Sequence, residues 1–83
     1  MKYVIYSSEK LLCSGDAISV TLPCTDGELC IMDNHLPLSA SLKKGTVRIK
    51  SENETKTFII GSGAAYVKNN ELSVYTDDTE INS

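Results

Sequence analysis

The sequence predicts an all-β fold, arranged as an antiparallel sandwich or barrel. Apolar and polar residues alternate along several short segments, such as 18–22, 46–50 and 72–75. A period of two buries one face of a strand and leaves the other in water. Turn-forming residues recur about every 8–12 residues, a spacing typical of sandwiches and barrels. No segment has the periodicity of an amphipathic helix, so helices are not expected.

The predicted strands follow one another with short connections. The first is rich in Tyr, Val and Ile and covers residues 2–6, and a shorter one at 11–13 precedes a bend at Ser14-Gly15-Asp16. Asp26-Gly27 is a strong turn signal, because Gly tolerates positive φ and Asp bonds its own backbone. Further strands are predicted at residues 18–22, 46–50, 55–60, 64–68 and 72–75. A short apolar strand is predicted after the Asp26-Gly27 turn, and another is opened by Pro37. Residues 36–42 could also form one turn of helix, but Pro37 and two Ser favour a strand or bend.

A single domain is expected over residues 1–77, followed by a short acidic tail at 78–83. A chain of 83 residues buries only about 60–65% of its unfolded surface, so the core is small and offers no deep interior for an active site. The side chains predicted to point inward are Ile18, Val20, Leu22, Leu29, Val47, Ile49, Leu72 and Val74.

Composition excludes several classes of function. The net charge of −3 argues against nucleic acid and against anionic membrane surfaces, which both require a basic face. The sequence shows neither a signal peptide nor an apolar run long enough to span a bilayer. The cysteines are odd in number and lack the spacing of zinc ligands, so Cys13, Cys24 and Cys30 are predicted to be reduced and mostly buried.

No catalytic constellation is recognisable. His35 is the only histidine, and a general base needs a nucleophile or an orienting carboxylate within reach. A structural hydrogen bond is the favoured role for His35, with a contact at an interface as the alternative. Gly61-Ser62-Gly63 lacks the ending of a P-loop and a following helix, so it is predicted to be a tightly packed turn between strands. The tail acids lack the spacing of an EF-hand. We therefore predict no catalytic residue, cofactor, metal site or small-molecule substrate, and a domain that works by binding.

One stretch carries a family resemblance. Gly27-Glu28-Leu29-Cys30-Ile31, followed by Asn34-His35-Leu36-Pro37-Leu38, resembles the Gly-Glu-Leu-Gly-Ile, Gly-His-Ala-Pro-Leu signature of the epsilon subunit of rotary ATP synthases, called delta in mitochondria. Residues 42–49, Leu-Lys-Lys-Gly-Thr-Val-Arg-Ile, are similar to the Leu-Lys-Pro-Gly-Val-Val-Arg-Ile of that family. The resemblance runs from Tyr3 to about Asp77. It departs from the family at Cys30 and Asn34, where Gly is usual.

The resemblance implies a ten-stranded β-sandwich, the N-terminal domain of a non-catalytic subunit in the central stalk. Such a subunit links the gamma subunit to the c ring of a proton-translocating ATP synthase. It reaches the membrane only through the complex, at the cytoplasmic face of the bacterial inner membrane. The family's C-terminal helical hairpin has no counterpart in these residues. The implied interface residues are Glu28, Ile31, Met32 and His35 toward the ring and the neighbouring gamma surface, and Ser7, Ser8, Ala40 and Ser41 toward gamma.

Two other functions remain open from the residues alone. One is a free-standing β-sandwich module that binds an unrelated protein partner. The other is a small hydrolase, which would require a base and a nucleophile beside His35. If the chain is a central-stalk subunit, we expect Ile31 and Met32 to form an exposed contact patch next to acidic residues.

Overall fold

The structure is a computed structural model that describes residues 1–7, 10–34 and 36–77, together with the backbone of 79–82. These residues contain ten strands and no helix, which confirms the all-β prediction. The strands are β1 Lys2–Ser7, β2 Lys10–Asp16, β3 Ser19–Cys24, β4 Gly27–Met32, β5 Leu38–Leu42, β6 Gly45–Lys50, β7 Thr55–Ile60, β8 Gly63–Lys68, β9 Glu71–Thr76 and β10 Thr79–Asn82.

The strands form one curled sheet that folds over into two layers. A flat sheet of ten strands spaced about 4.8 Å apart would be roughly 43 Å wide, whereas the longest dimension of the domain is 27 Å. The first layer has the order β10-β7-β6-β3-β4, and the second has the order β5-β8-β9-β1-β2. The layers are joined where Cys24 of β3 pairs with Leu42 of β5.

The core lies between the two layers and is built from alternate residues of nearly every strand. Six of the eight side chains predicted to point inward are buried, namely Val20, Leu22, Val47, Ile49, Leu72 and Val74. Leu29 is half-buried and packs against the core. The prediction is wrong for Ile18, which is 48% exposed. Ile18 lies in the bend before β3, where its backbone N–H donates to the carbonyl of Lys50 at 2.7 Å.

Three sequence-based expectations about the strands need correction. The β1–β9 pair is parallel, whereas the other described pairs are antiparallel. This parallel pair joins the β8–β9 and β1–β2 strand pairs side by side within one layer. The expected bend at Ser14-Gly15-Asp16 belongs to β2, and Gly15 lies opposite Tyr3. The expected acidic tail contains β10, which pairs with β7.

The turns follow from residues that accept positive φ. Thr25 and Asp26 close the β3–β4 hairpin, and Gly27 has a φ of 121°. Asn69 and Asn70 close the β8–β9 hairpin with φ values of 53° and 57°. Positive φ at both central residues is the mark of a type I′ turn, whose twist matches that of the strands. Both hairpins therefore have their register fixed locally.

Gly63 confirms the prediction of close backbone packing after Gly61 and Ser62. A Cβ at Gly63 would lie 1.9 Å from the carbonyl oxygen of Tyr75. The link between β7 and β8 crosses here from the first layer to the second. The side chain of Ser62 donates to the carboxylate of Asp77 at 3.3 Å, which ties the crossover to the end of β9.

Candidate partner interface

Strand β4 presents two different faces because its residues alternate. Glu28, Cys30 and Met32 are exposed, and the exposed fraction of Met32 is 59%. Ile31 is completely buried, since it pairs with Val20 on the core side of β3. The expected exposed pair of Ile31 and Met32 is therefore wrong for Ile31. Of the residues expected to face the ring, Glu28 and Met32 share the outer surface of the first layer.

The residues expected to face gamma do not all lie on one surface. Ala40 packs against the core, whereas the neighbouring Ser41 is exposed on the outer surface of the second layer. Ser7 ends β1, where its hydroxyl donates to the carbonyl of Asp77 at 3.4 Å. Ser8 and His35 lie outside the described residues. A sequence match alone could not separate Ala40 from Ser41, because only the strand direction decides which of two neighbours faces the core.

The turn after β4 is anchored by the amino terminus of the chain. The amino group of Met1 forms an ion pair with Asp33 at 2.5 Å and donates to the carbonyl of Ala17 at 3.1 Å. The ammonium group hydrogen-bonds to Asp33 and attracts it, which lowers the pKa of its carboxyl group below the ordinary value. Asp33 therefore serves the fold as well as lying on the surface.

Asn70 completes this anchor from the β8–β9 turn. Its side-chain oxygen accepts a hydrogen bond from the backbone N–H of Asn34 at 2.7 Å, and its amide nitrogen donates to Asp33 at 3.4 Å. Asn34 has a φ of 62°, a left-handed conformation that Asn tolerates better than most residues. Asn34 thus occupies a position where Gly is usual in the resembled family. Its hydrogen bond to Asn70, with the ion pair between Met1 and Asp33, holds the turn after β4 in place.

The cysteines differ in their exposure. Cys24 is buried, Cys13 is half-buried and Cys30 is exposed, so the expectation of mostly buried thiols is wrong for Cys30. Cys30 points outward because it alternates with the buried Ile31 on β4. Burial, with a smaller contribution from the charge of Asp26, raises the pKa of the Cys24 thiol. These environments give no sign of a shared ligand.

Three tyrosines that the sequence scatters over different strands meet on one surface. The rings of Tyr6 and Tyr75 stack with centroids 5.3 Å apart and planes inclined by 10°. The ring of Tyr66 meets that of Tyr75 edge-on at 5.9 Å. Tyr3 is different, since it is buried in the core, where burial and a hydrogen bond with Cys13 raise its pKa to about 12. Sequence analysis missed this cluster because the register between β1, β8 and β9 brings the rings together.

Within the described part of the chain, no group of three or more His, Cys, Asp or Glu side chains is placed to hold a metal ion. The same residues contain no helix that is long and apolar enough to cross a bilayer. Two exposed surfaces are therefore the candidate sites for binding a partner. One is the outer side of β4, and the other is the tyrosine cluster on the second layer.

Comparison with known proteins decides the family. Residues 1–82 match the family model described as "ATP synthase, Delta/Epsilon chain, beta-sandwich domain". The chain belongs to this family. An ATP synthase epsilon chain from Dichelobacter nodosus is 35% identical over 75 residues, which cover 89% of this chain and 52% of that protein. Another from a Synechococcus species is 34% identical over 76 residues, covering 92% of this chain and 55% of that protein.

Solved structures share the fold of this delta/epsilon sandwich. A chain in the mitochondrial ATP synthase of Euglena gracilis, in its OSCP/F1/c-ring assembly, aligns with a TM-score of 0.88 and 16% identity, over 95% of this chain and 51% of that one. A chain of the Tetrahymena thermophila central stalk and c ring aligns with a TM-score of 0.81 and 16% identity, over 94% and 63%. The chain thus spans about half the length of the relatives named above.

Proposed function

We propose that this domain is the N-terminal β-sandwich of a non-catalytic central-stalk (rotor) subunit in a proton-translocating ATP synthase. The match of residues 1–82 to the delta/epsilon family carries this proposal. A rigid, closely packed sandwich suits a part that must transmit torque without deforming.

The proposed partners are the gamma subunit and the c ring. Glu28 and Met32 are the described residues proposed to face the ring, since both are exposed on the outer side of β4. Ser7 and Ser41 are proposed to face gamma, together with Ser8, and His35 is proposed to lie near both partners. Ile31 and Ala40 support these surfaces from the core side. The proposed location is the cytoplasmic face of a bacterial inner membrane, reached only through the complex.

Co-purification tests this function most directly. The chain should be expressed with the gamma subunit encoded by the same organism and recovered as a stoichiometric complex. Absence of a complex at micromolar concentrations, with both proteins folded, would contradict the central-stalk function. A free-standing module with an unrelated partner would then be the better explanation.

Reversal of charge at Glu28 tests the ring contact. The family resemblance implies basic residues on the loops of the ring, so Glu28→Lys should replace attraction with repulsion. Exposed ion pairs contribute only about 0.2–1 kcal/mol each, so proton pumping per ATP hydrolysed in reconstituted vesicles should fall modestly, and more at low salt. The exposed Thr46→Lys, on the same layer, is the matched control. Unchanged pumping at low salt would exclude Glu28 from the ring contact.

A further inference from the structure

Segments that are distant in the sequence meet at the turn after β4. Met1 precedes β1, Ala17 lies between β2 and β3, Asp33 and Asn34 form the turn, and Asn70 lies between β8 and β9. Their contacts include one ion pair and three hydrogen bonds, over distances from 2.5 to 3.4 Å. We call these five residues the turn clamp.

The turn clamp lies where the chain leaves the first layer. β4 ends at Met32 in the first layer, and β5 begins at Leu38 in the second. Strand pairing fixes the backbone up to Met32 and again from Leu38, and the described residues between them belong to no strand. The contacts of Asp33 and Asn34 therefore fix the direction in which the chain leaves β4.

The side chain of Asn70 is not required by its own hairpin. Asn69 and Asn70 have similar φ values of 53° and 57°, and a type I′ turn requires only that both residues accept positive φ, which Gly also does. Within the described residues, the side chain of Asn69 makes no hydrogen bond, whereas that of Asn70 accepts one from Asn34 and donates one to Asp33. Asn70 therefore uses both polar atoms of its amide outside the β8–β9 turn.

The turn clamp lies on the surface, where a partner can reach it. Asp33 is 58% exposed, and both hydrogen bonds of the Asn70 side chain are exposed to solvent. Water competes for such bonds, so each contributes little alone. Acting together on two consecutive residues, Asp33 and Asn34, they restrict the conformation of the turn.

We propose that Asn70 is a positioning residue for the partner contacts made around the turn after β4, an assignment that rests on the proposed central-stalk function. Met32, which precedes Asp33, and His35, which follows Asn34, are the residues proposed to meet the partners there. A turn that is ordered before binding need not be ordered by the partner, so association loses less conformational entropy. Asn70 acts through Asp33 and Asn34 rather than through a contact of its own with a partner.

Asn70→Gly tests this role, because Gly keeps the positive φ of the turn and removes only the side chain. Hydrogen exchange at the Asn34 amide of the free chain, followed by NMR, should become at least about fivefold faster, since its acceptor is lost. The Kd of the labelled chain for its cognate ATP synthase, depleted of this subunit, should rise at least about fivefold. Asn69→Gly is the matched control from the same turn and should change both quantities by less than about twofold.

A double variant shows whether Asn70 and Asp33 act through the same turn. Asp33→Asn removes the charge that pairs with the amino group of Met1, so it should also raise Kd. If both side chains hold one turn, the chain carrying Asn70→Gly and Asp33→Asn should lose clearly less affinity than the product of the two single losses. Losses that simply multiply would mean that the two residues act independently, and they would contradict the proposal.

The outcomes separate this role from the proposed function. If the original chain binds the depleted enzyme and a folded Asn70→Gly binds equally well, the positioning role is excluded and the central-stalk function stands. Unchanged exchange at the Asn34 amide would also exclude the role. Thermal melting identifies a merely structural effect: a chain with Asn70→Gly that does not fold would show that the fold requires Asn70, and would overturn the proposal. If the original chain does not bind, the central-stalk function fails and the positioning role fails with it.

Discussion

At the scale of single residues, Asp33 shows how one carboxylate can belong to both surface and fold. Its side chain is 58% exposed, yet it pairs with the amino group of Met1. An exposed turn acid is normally expected to contribute little. Here the amine is buried against Ala17, so removing the carboxylate would leave it without its counter-charge. We therefore expect a charge reversal at Asp33 to destabilise the fold, although the side chain lies on the surface.

Acid should weaken the domain through Asp33. Because the pKa of this carboxyl group is lowered in the folded state, its contribution is complete above about pH 4 and is lost as the pH falls through the folded-state pKa. Between about pH 6 and about pH 2.5, the melting temperature should therefore fall further for the original chain than for Asp33→Asn. Parallel acid responses in the original chain and Asp33→Asn would contradict this role.

At the scale of the strands, Gly63 and Gly27 are required for different reasons. Gly63 begins β8 where the backbone of β9 leaves no room for a Cβ, so the constraint comes from a distant strand. Gly27 begins β4 with a φ of 121° and nothing within 4 Å of a Cβ, so the constraint is local to the hairpin. The first belongs to the packing of the layers, and the second to one turn.

Alanine substitutions should separate these two constraints. Gly63→Ala should destabilise the domain by about 3 kcal/mol or more, because the backbone of β9 must move. Gly27→Ala should cost about 1–2 kcal/mol, since only the conformation of the turn is strained. Urea unfolding at equilibrium measures both. If Gly63→Ala and Gly27→Ala lowered the stability equally, β9 could move away from β8 at little cost. The pairing of these two strands along their whole length argues against that result.

At the scale of the whole molecule, stability depends on the single core between the two layers. Val47 is completely buried, while its neighbour Thr46 is exposed on the same strand. Val47→Asp should abolish folding, because an unpaired buried charge costs several kcal/mol against a total stability of roughly 5–10 kcal/mol. Thr46→Asp should change stability by less than about 1 kcal/mol. Circular dichroism and thermal melting distinguish the two results, and a folded Val47→Asp would mean that the core is not shared by the layers.

Local patterns in the sequence determined the strands, the turns and most of the core. Alternation identified Val20, Leu22, Val47, Ile49, Leu72 and Val74, because a strand next to water must separate its apolar and polar residues. Turn chemistry identified Asp26-Gly27, because positive φ is available to few residues. The ordered family motif identified the family for the same reason: it is a property of neighbouring residues.

Tertiary structure alone decided which surfaces exist. The parallel β1–β9 pair, the strand β10 and the pairing of Asp33 with Met1 all join segments far apart in the chain, and no local pattern contains them. The same holds for the cluster of Tyr6, Tyr66 and Tyr75, which needs the register of β1, β8 and β9. A change of one residue in that register would turn each side chain to the opposite face. Pairing between distant strands therefore decides which side chains a partner can reach, while the sequence of each strand decides only that it has two faces.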